Sequence, residues 1–300
     1  MDFVLETKDL RKSYRHFQAL SGVDMHVPQG AIYGLVGKNG AGKTTLIRII
    51  SGLQKKNGGK CVLFGEECDS KNGTRARRRM GALVESPSIF LDLSAEDNLK
   101  MQYTILGLPS FDTIPEILET VGLADTGNKK AGSFSLGMKE RLGIAMALSG
   151  SPDFLILDEP TNGLDPEAMV EVRELILRLN KEKGMTIMVS SHILDELSKI
   201  ATHYGFLDKG SMIREISREK LVEESRKCIR VKLGRPTDAV LVLDNMGFDY
   251  SLSSQDTFEI YGDVGIPQIL EALGKFRILD IDKKNETLEG YFMSMLGGEE

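Results

Sequence analysis

Three hundred residues with 41% hydrophobic and 27% charged side chains describe an ordinary soluble globular chain, long enough for one large domain and a small one. A net charge of −6 disfavours a general nucleic-acid binder. Cys61, Cys68 and Cys228 form no Cys-x-x-Cys pair and no metal spacing, so they read as reduced thiols of a cytoplasmic protein; no apolar run reaches a membrane span, and Met1-Asp2-Phe3 opens no signal peptide.

In chain order, residues 4–7 and 23–27 read as short strands separated by polar turns. Residues 31–36 are an apolar run expected to be a buried strand, and 46–50 open a helix. Between them stands Gly37-Lys38-Asn39-Gly40-Ala41-Gly42-Lys43-Thr44-Thr45, a P-loop by its residues and by both flanks. Its glycines let consecutive N–H groups face inward around phosphate oxygens, and the following helix points its positive end at them. Lys43 supplies a charge for the β- and γ-phosphates and Thr44 a hydroxyl for Mg²⁺. Residues 61–65 read as another strand. Arg75-Ala76-Arg77-Arg78-Arg79 reads as a solvated helix face, the alternative being contact with nucleic acid or lipid headgroups.

Residues 81–84 form a strand that leads to Glu85. From 94 to 148 the pattern is helical, with a capping-box-like start at Ser94, a break at Gly107-Leu108-Pro109, and further helices over 114–121 and 136–148. Residues 154–157 are a buried strand ending in Asp158-Glu159. A helix from Pro166 to Gly184 follows, with Val172, Leu175, Ile176 and Leu179 on one face. Residues 185–189 are the next strand, with Ser190-Ser191-His192 at its carboxyl end. Alternating strands and helices predict a largely parallel sheet with helices on both faces. Beyond a charged boundary at 215–228, the order strand, helix, strand, strand, helix, strand predicts a ferredoxin-like unit with a last helix over 287–296.

Acids at a strand end behind a P-loop have a physical use. Asp158 is expected to hold the Mg²⁺ bound by Thr44, and Glu159 to polarise the attacking water. His192, at a neighbouring strand end, is placed to donate to the γ-phosphate.

Tyr14, residues 37–44, Ser135-Leu136-Gly137-Met138-Lys139, Leu155-Ile156-Leu157-Asp158-Glu159-Pro160, Gly163-Leu164-Asp165-Pro166 and Ser191-His192 resemble the ordered motif set of an ABC-transporter ATP-binding subunit, over residues 2 to about 215. The resemblance implies an α/β P-loop core with an antiparallel β subdomain and a helical subdomain over about 88–148, followed by a small accessory α+β domain over 216–300. It implies that Tyr14 stacks on adenine and that residues 37–45 hold ATP. Ser135, Gly137 and Met138, within the signature 135–138, would close over ATP held by a second subunit. Asp165 would touch that subunit, and His192 would be the switch histidine. Two positions depart from the common pattern: the signature has Leu136 and Met138 where glycine and glutamine are usual, and Glu85 replaces a glutamine. An ionised glutamate keeps an oxygen for Mg²⁺ and loses the amide donor. These departures, with the tail ending in Leu288-Glu289-Gly290-Tyr291-Phe292, resemble the subunits of bacitracin-type and lantibiotic-immunity exporters.

The expectation is therefore a cytoplasmic ATPase, peripheral on the inner face of the membrane, that pairs with a second copy, uses ATP and Mg²⁺, and drives a separate permease without binding nucleic acid. The alternatives are a soluble ABC ATPase acting on ribosomes or nucleic acid, and a regulator that binds nucleotide without hydrolysis.

Overall fold

The computed structural model describes residues 2–225, 227–234, 239–262, 264–285 and 287–296, which fall into two compact units, Met1–Ser217 and Arg218–Glu300. The first opens with a hairpin in which β1 (Phe3–Tyr14) pairs antiparallel with β2 (Phe17–Pro28). Both strands run well past the short segments expected at 4–7 and 23–27. The reason is local: bulges between Thr7 and Leu10, with Asp9 at φ 48, break the alternation that marks a strand in sequence. β3 (Ile32–Val36) is buried at every position, as a central parallel strand requires, and leads through the P-loop into α1 (Lys43–Ile50). β4 (Gly58–Leu63) and β5 (Glu66–Glu67) complete a four-stranded antiparallel sheet of order β2-β1-β4-β5.

α2 (Gly73–Arg77) carries part of the arginine run and precedes β6 (Met80–Leu83). The run is not a uniformly solvated face. Arg77 Nε donates to Ile50 O at 3.3 Å, and the Arg79 guanidinium lies 3.9 Å from the Phe64 ring centroid while bonding Asp153 at 2.6 Å. Arg75, Arg78 and Arg79 are exposed, and Arg77 is half-buried.

The helical insert comprises α3 (Ala95–Leu106), α4 (Ile114–Thr120) and α5 (Leu136–Leu148). Ser94 caps α3 by accepting from the Asp97 N–H at 3.1 Å, and Gly107 ends it at φ 67. Leu142, Ile144, Ala145 and Leu148 of α5 are buried. β7 (Phe154–Asp158), α6 (Pro166–Lys183), β8 (Thr186–Ser191), α7 (Leu194–Ile200), β9 (His203–Asp208) and β10 (Ser211–Ser217) follow. The second sheet has the order β10-β9-β3-β8-β7-β6 and is parallel except for the β9–β10 pair. Val172, Leu175, Ile176 and Leu179 of α6 are buried, as their spacing predicts. This sheet brings the carboxyl ends of β3, β7 and β8 side by side, where open parallel sheets bind ligands.

In the second unit, α8 (Arg218–Glu224) occupies much of the charged stretch read as a boundary, with Leu221 buried. Arg226 in that stretch, and Asp238 at the expected start of the next helix, lie outside the described residues. β11 (Lys227–Leu233), α9 (Ala239–Asn245), β12 (Asp249–Ser254), β13 (Thr257–Tyr261), α10 (Ile266–Leu273), β14 (Ile278–Asn285) and α11 (Leu288–Leu296) follow. The strands pair antiparallel in the order β12-β13-β11-β14, over a core that includes Val231, Leu243, Phe258, Ile260 and Leu273.

Candidate active site

The loop after β3 needs glycine where the chain crowds. A Cβ on Gly37 would lie 2.6 Å from Leu207 O; one on Gly42, at φ 110, would lie 2.8 Å from Ala19 O. Gly42 is also the N-cap of α1, and no side chain caps that helix start, so its N–H groups stay open to an anion. Lys43 is buried. Its Nζ donates to Gly37 O at 2.6 Å and pairs with Glu159 Oε1 at 3.2 Å.

Asp158 ends β7, opposite Ser190 of β8. The Ser190 hydroxyl donates to Asp158 Oδ1 at 2.5 Å and accepts from the Glu159 N–H at 3.0 Å, so one serine orients both acids. Sequence reading passed Ser190 over; the signal for it is a hydroxyl at the end of a wholly buried strand. Glu159 sits at φ 54, a left-handed conformation costly for a side chain-bearing residue, and this sharp turn lifts its carboxylate out of the strand. Glu159 Oε2 accepts from the His192 N–H at 3.3 Å and lies 2.7 Å from His192 Nδ1. With the carboxylate ionised, the shared proton resides on Nδ1 and Nε2 is left to face a ligand. An ion pair and a hydrogen bond thus link Lys43, Glu159 and His192 in series at the mouth of the P-loop.

A cleft of about 390 Å³ opens there, lined by Lys38, Asn39, Gly40, Gly42, Lys43, Thr44 and Thr45 with Phe17, Ala19, Glu159, Asn162 and His192. Asn162 and Phe17 are additions to the sequence reading. Phe17 is 61% exposed and presents the cleft's aromatic surface. Gly37, Ala41 and Asp158 are buried and do not line the cleft. A larger cavity, about 510 Å³, lies at the amino ends of the strands and includes Phe64, Arg79, Asp153 and Lys183. Its charges are already paired, Arg79 with Asp153 at 2.6 Å and Lys183 with Glu116 at 2.9 Å, and it has no phosphate-binding loop.

Two expected residues stand elsewhere. Tyr14 does not line the cleft: its hydroxyl bonds Gln54 Oε1 at 2.5 Å, and Lys12 Nζ lies 5.1 Å from its ring centroid. Glu85, at φ 64 and 57% exposed, turns to Arg48 Nη2 at 2.6 Å rather than into the cleft. Residues 135–138 and Asp165 are grouped on their own. Ser135 caps α5 by accepting from the Met138 N–H at 3.2 Å, and Asp165 caps α6 by accepting from the Ala168 N–H at 2.9 Å. A Cβ on Gly137 would come within 2.6 Å of Ala168 Cβ, so glycine sets the approach of these two helix starts. Ser135 and Leu136 are exposed, and none of the four residues lines the P-loop cleft. Two residues on, Glu140 is buried in α5, its Oε1 without a partner among the described residues. Burial pushes its carboxyl up to about 7.

The ABC transporter family pattern matches residues 20–162. The chain is 39% identical to the bacitracin transport ATP-binding protein BcrA of Bacillus licheniformis, over 99% of each chain. It is 44% identical to the lantibiotic transport ATP-binding protein SrtF of Streptococcus pyogenes, over 71% of this chain and 90% of that one. Among solved structures, cbiO1 of Clostridium perfringens, part of the ABC transporter complex cbiONQ, superposes with a TM-score of 0.67 at 26% identity, covering 75% of this chain and 92% of that one. With such identity along nearly its whole length, the chain belongs to the family of ABC transporter ATP-binding subunits.

Proposed function

We propose that this ATPase powers a separate membrane permease that exports a peptide antibiotic or a related drug, and that two copies of the chain assemble around two ATP. The carrying observation is a divided site. The P-loop, Lys43, Glu159 and His192 share one cleft, while Ser135 and its neighbours form an exposed patch outside it. An exposed helix start capped by a serine is suited to phosphate that another copy holds. The exported class comes from the names of the relatives, which transport bacitracin and a lantibiotic. Among the described residues no helix is long and apolar enough to cross a membrane, so the permease is a different chain in this reading.

In this reading, ATP lays its triphosphate along residues 38–45. Lys43 exchanges Glu159 for phosphate oxygen, which frees the Glu159 carboxylate to orient water, while His192, as an imidazolium with a proton on each ring nitrogen, donates from Nε2 to the γ-phosphate. Thr44 and Asp158 offer hard oxygen donors of the kind Mg²⁺ takes. Bound there, Mg²⁺ would neutralise charge on the phosphates. Glu85 would join them only after leaving Arg48, and a surface pair of that kind is worth about 0–1 kcal/mol. Tyr14 would likewise swing from Gln54 to meet adenine beside Phe17. Asp165 would face the second copy, and residues 218–300 would act as a docking or regulatory module. The protein would work on the inner face of the cell membrane.

The test is co-expression with any multispan membrane protein that a neighbouring gene encodes. Joint purification from membranes, and antibiotic resistance that is lost with Glu159→Gln, are expected. A chain that hydrolyses ATP but leaves both membrane association and resistance unchanged would sink the transport reading.

A further inference from the structure

Cys61 lies in β4, and Cys68 is the first residue beyond β5. The register Leu63↔Glu66 and Val62↔Glu67 makes Cys61 and Cys68 the next facing pair, and the Cys68 N–H donates to Cys61 O at 2.8 Å. Facing residues in a hydrogen-bonded antiparallel pair have Cα atoms about 5.5 Å apart, inside the range of about 4.4–6.8 Å that a disulfide spans. Their side chains leave the same face of the hairpin, and the two sulfurs lie 2.7 Å apart, in direct contact. Seven positions apart in sequence, they carry no recognisable motif; only the tight turn at Phe64-Gly65 joins them.

The environment differentiates the two thiols. The contact with Cys61 and the nearby Arg77 guanidinium pull the Cys68 thiol down; the contact with Cys68 and burial push the Cys61 thiol up. Cys228, the third thiol, is buried in β11 of the other unit.

We infer that Cys61 and Cys68 form a reversible dithiol–disulfide couple, a redox modification site at the edge of the antiparallel sheet. Its co-reactant is a low-molecular-weight disulfide such as oxidised glutathione. The Cys68 thiolate attacks one glutathione sulfur; the glutathione S–S bond breaks, and the departing thiolate takes up the proton that Cys68 gave up. Cys61, losing its proton in turn, attacks the Cys68 sulfur and expels the second glutathione as a thiol. Two protein thiols are oxidised to one disulfide, and one glutathione disulfide is reduced to two thiols. Both sulfurs are buried, so entry requires the hairpin to open. β5 is suited to that: it is two exposed residues long and lies at the end of its sheet. Closure has a route to the P-loop helix. Cys61 and Cys68 pack in the same core as Leu46, Ile49 and Ile50 of α1, and Arg77 bonds Ile50 O at that helix's end.

The experiment equilibrates the full chain with reduced and oxidised glutathione at graded ratios. The protein is then quenched in acid, denatured and alkylated, and its tryptic peptides are weighed. Cleavage after Lys60 and Lys71 places both cysteines on one peptide. That peptide is expected to pass from doubly alkylated to unalkylated and lighter by two hydrogens, in a single two-electron step reversed by dithiothreitol, while Cys228 stays alkylated. In Cys68→Ser and, separately, Cys61→Ala, the unalkylated form is expected to vanish. A peptide doubly alkylated at every ratio, or one that stops at a stable glutathione adduct, would overturn the inference. So would a disulfide that forms through Cys228.

Discussion

Glu159 holds Lys43 on one oxygen and His192 on the other, so its removal reaches both binding and chemistry. Glu159→Gln keeps the shape and loses the charge; phosphate release should fall about 10²-fold or more while nucleotide affinity persists. Lys43→Ala should weaken nucleotide binding itself. Equilibrium titration with a labelled nucleotide beside a turnover assay separates the two, and equal turnover of Glu159→Gln and the parent would remove Glu159 from catalysis. Phe17 offers a stacking surface already at the cleft, whereas Tyr14 is engaged with Gln54. Phe17→Ala is therefore expected to lose roughly 1–2 kcal/mol of ATP affinity, the scale of base–aromatic stacking, and Tyr14→Ala less; the reverse ranking would return the adenine to Tyr14. Glu140 makes the third case. Its carboxyl is raised from 4.5 to about 7 in the folded chain, so folding disfavours the charged form. The stability it permits is whole below the unfolded value and declines as pH rises from about 4.5 to 7, a loss of up to about 3 kcal/mol. Glu140→Gln should equal the parent near pH 4.5 and exceed it in denaturant midpoint at pH 8. A midpoint difference that does not change with pH would show that Glu140 is solvated.

Elements whose ends carry their own chemistry are legible in the sequence. α6 is bounded by Asp165-Pro166 and Gly184, α5 starts after Ser135, and the apolar strands ending in Val36 and Asp158 present the P-loop and the acid pair. What sequence concealed depends on neighbours distant in the chain. Bulges disguised the length of the first hairpin, and the Ser190 hydroxyl acquires its meaning only when β8 lies beside β7. Glu85 and Tyr14 followed family position, but the partners that hold them, Arg48 and Gln54, sit 37 and 40 residues away. Ser135 caps a helix that needs capping in any setting, so its pattern was readable while its surroundings were not. At this scale the sharpest test is Gly137. A Cβ there would meet Ala168, and Gly137→Ala should cost about 1–3 kcal/mol or push α5 from α6. ATP affinity should hold, since the cleft lies elsewhere, and ATP turnover should drop. An unchanged turnover and unchanged thermal midpoint would mean that the two helix starts have slack.

At the scale of the whole molecule, Met1–Ser217 contains every residue assigned to the cleft, and Arg218–Glu300 has its own core. A chain ending at Ser217 should bind ATP with the parent's affinity if it stays soluble, and a folded truncation that fails to bind would give the second unit a share in the site. The exposed start of α5 has one more consequence, which belongs to genetics. Where each copy finishes the site of another, a Ser135 defect damages the neighbour's site, and a Glu159 defect damages the bearer's own. Two copies that are each inactive alone would then meet as a mixed pair in which both defects fall on the same site and the other site is whole. Two null alleles in one cell would complement each other, and two copies of either one would not.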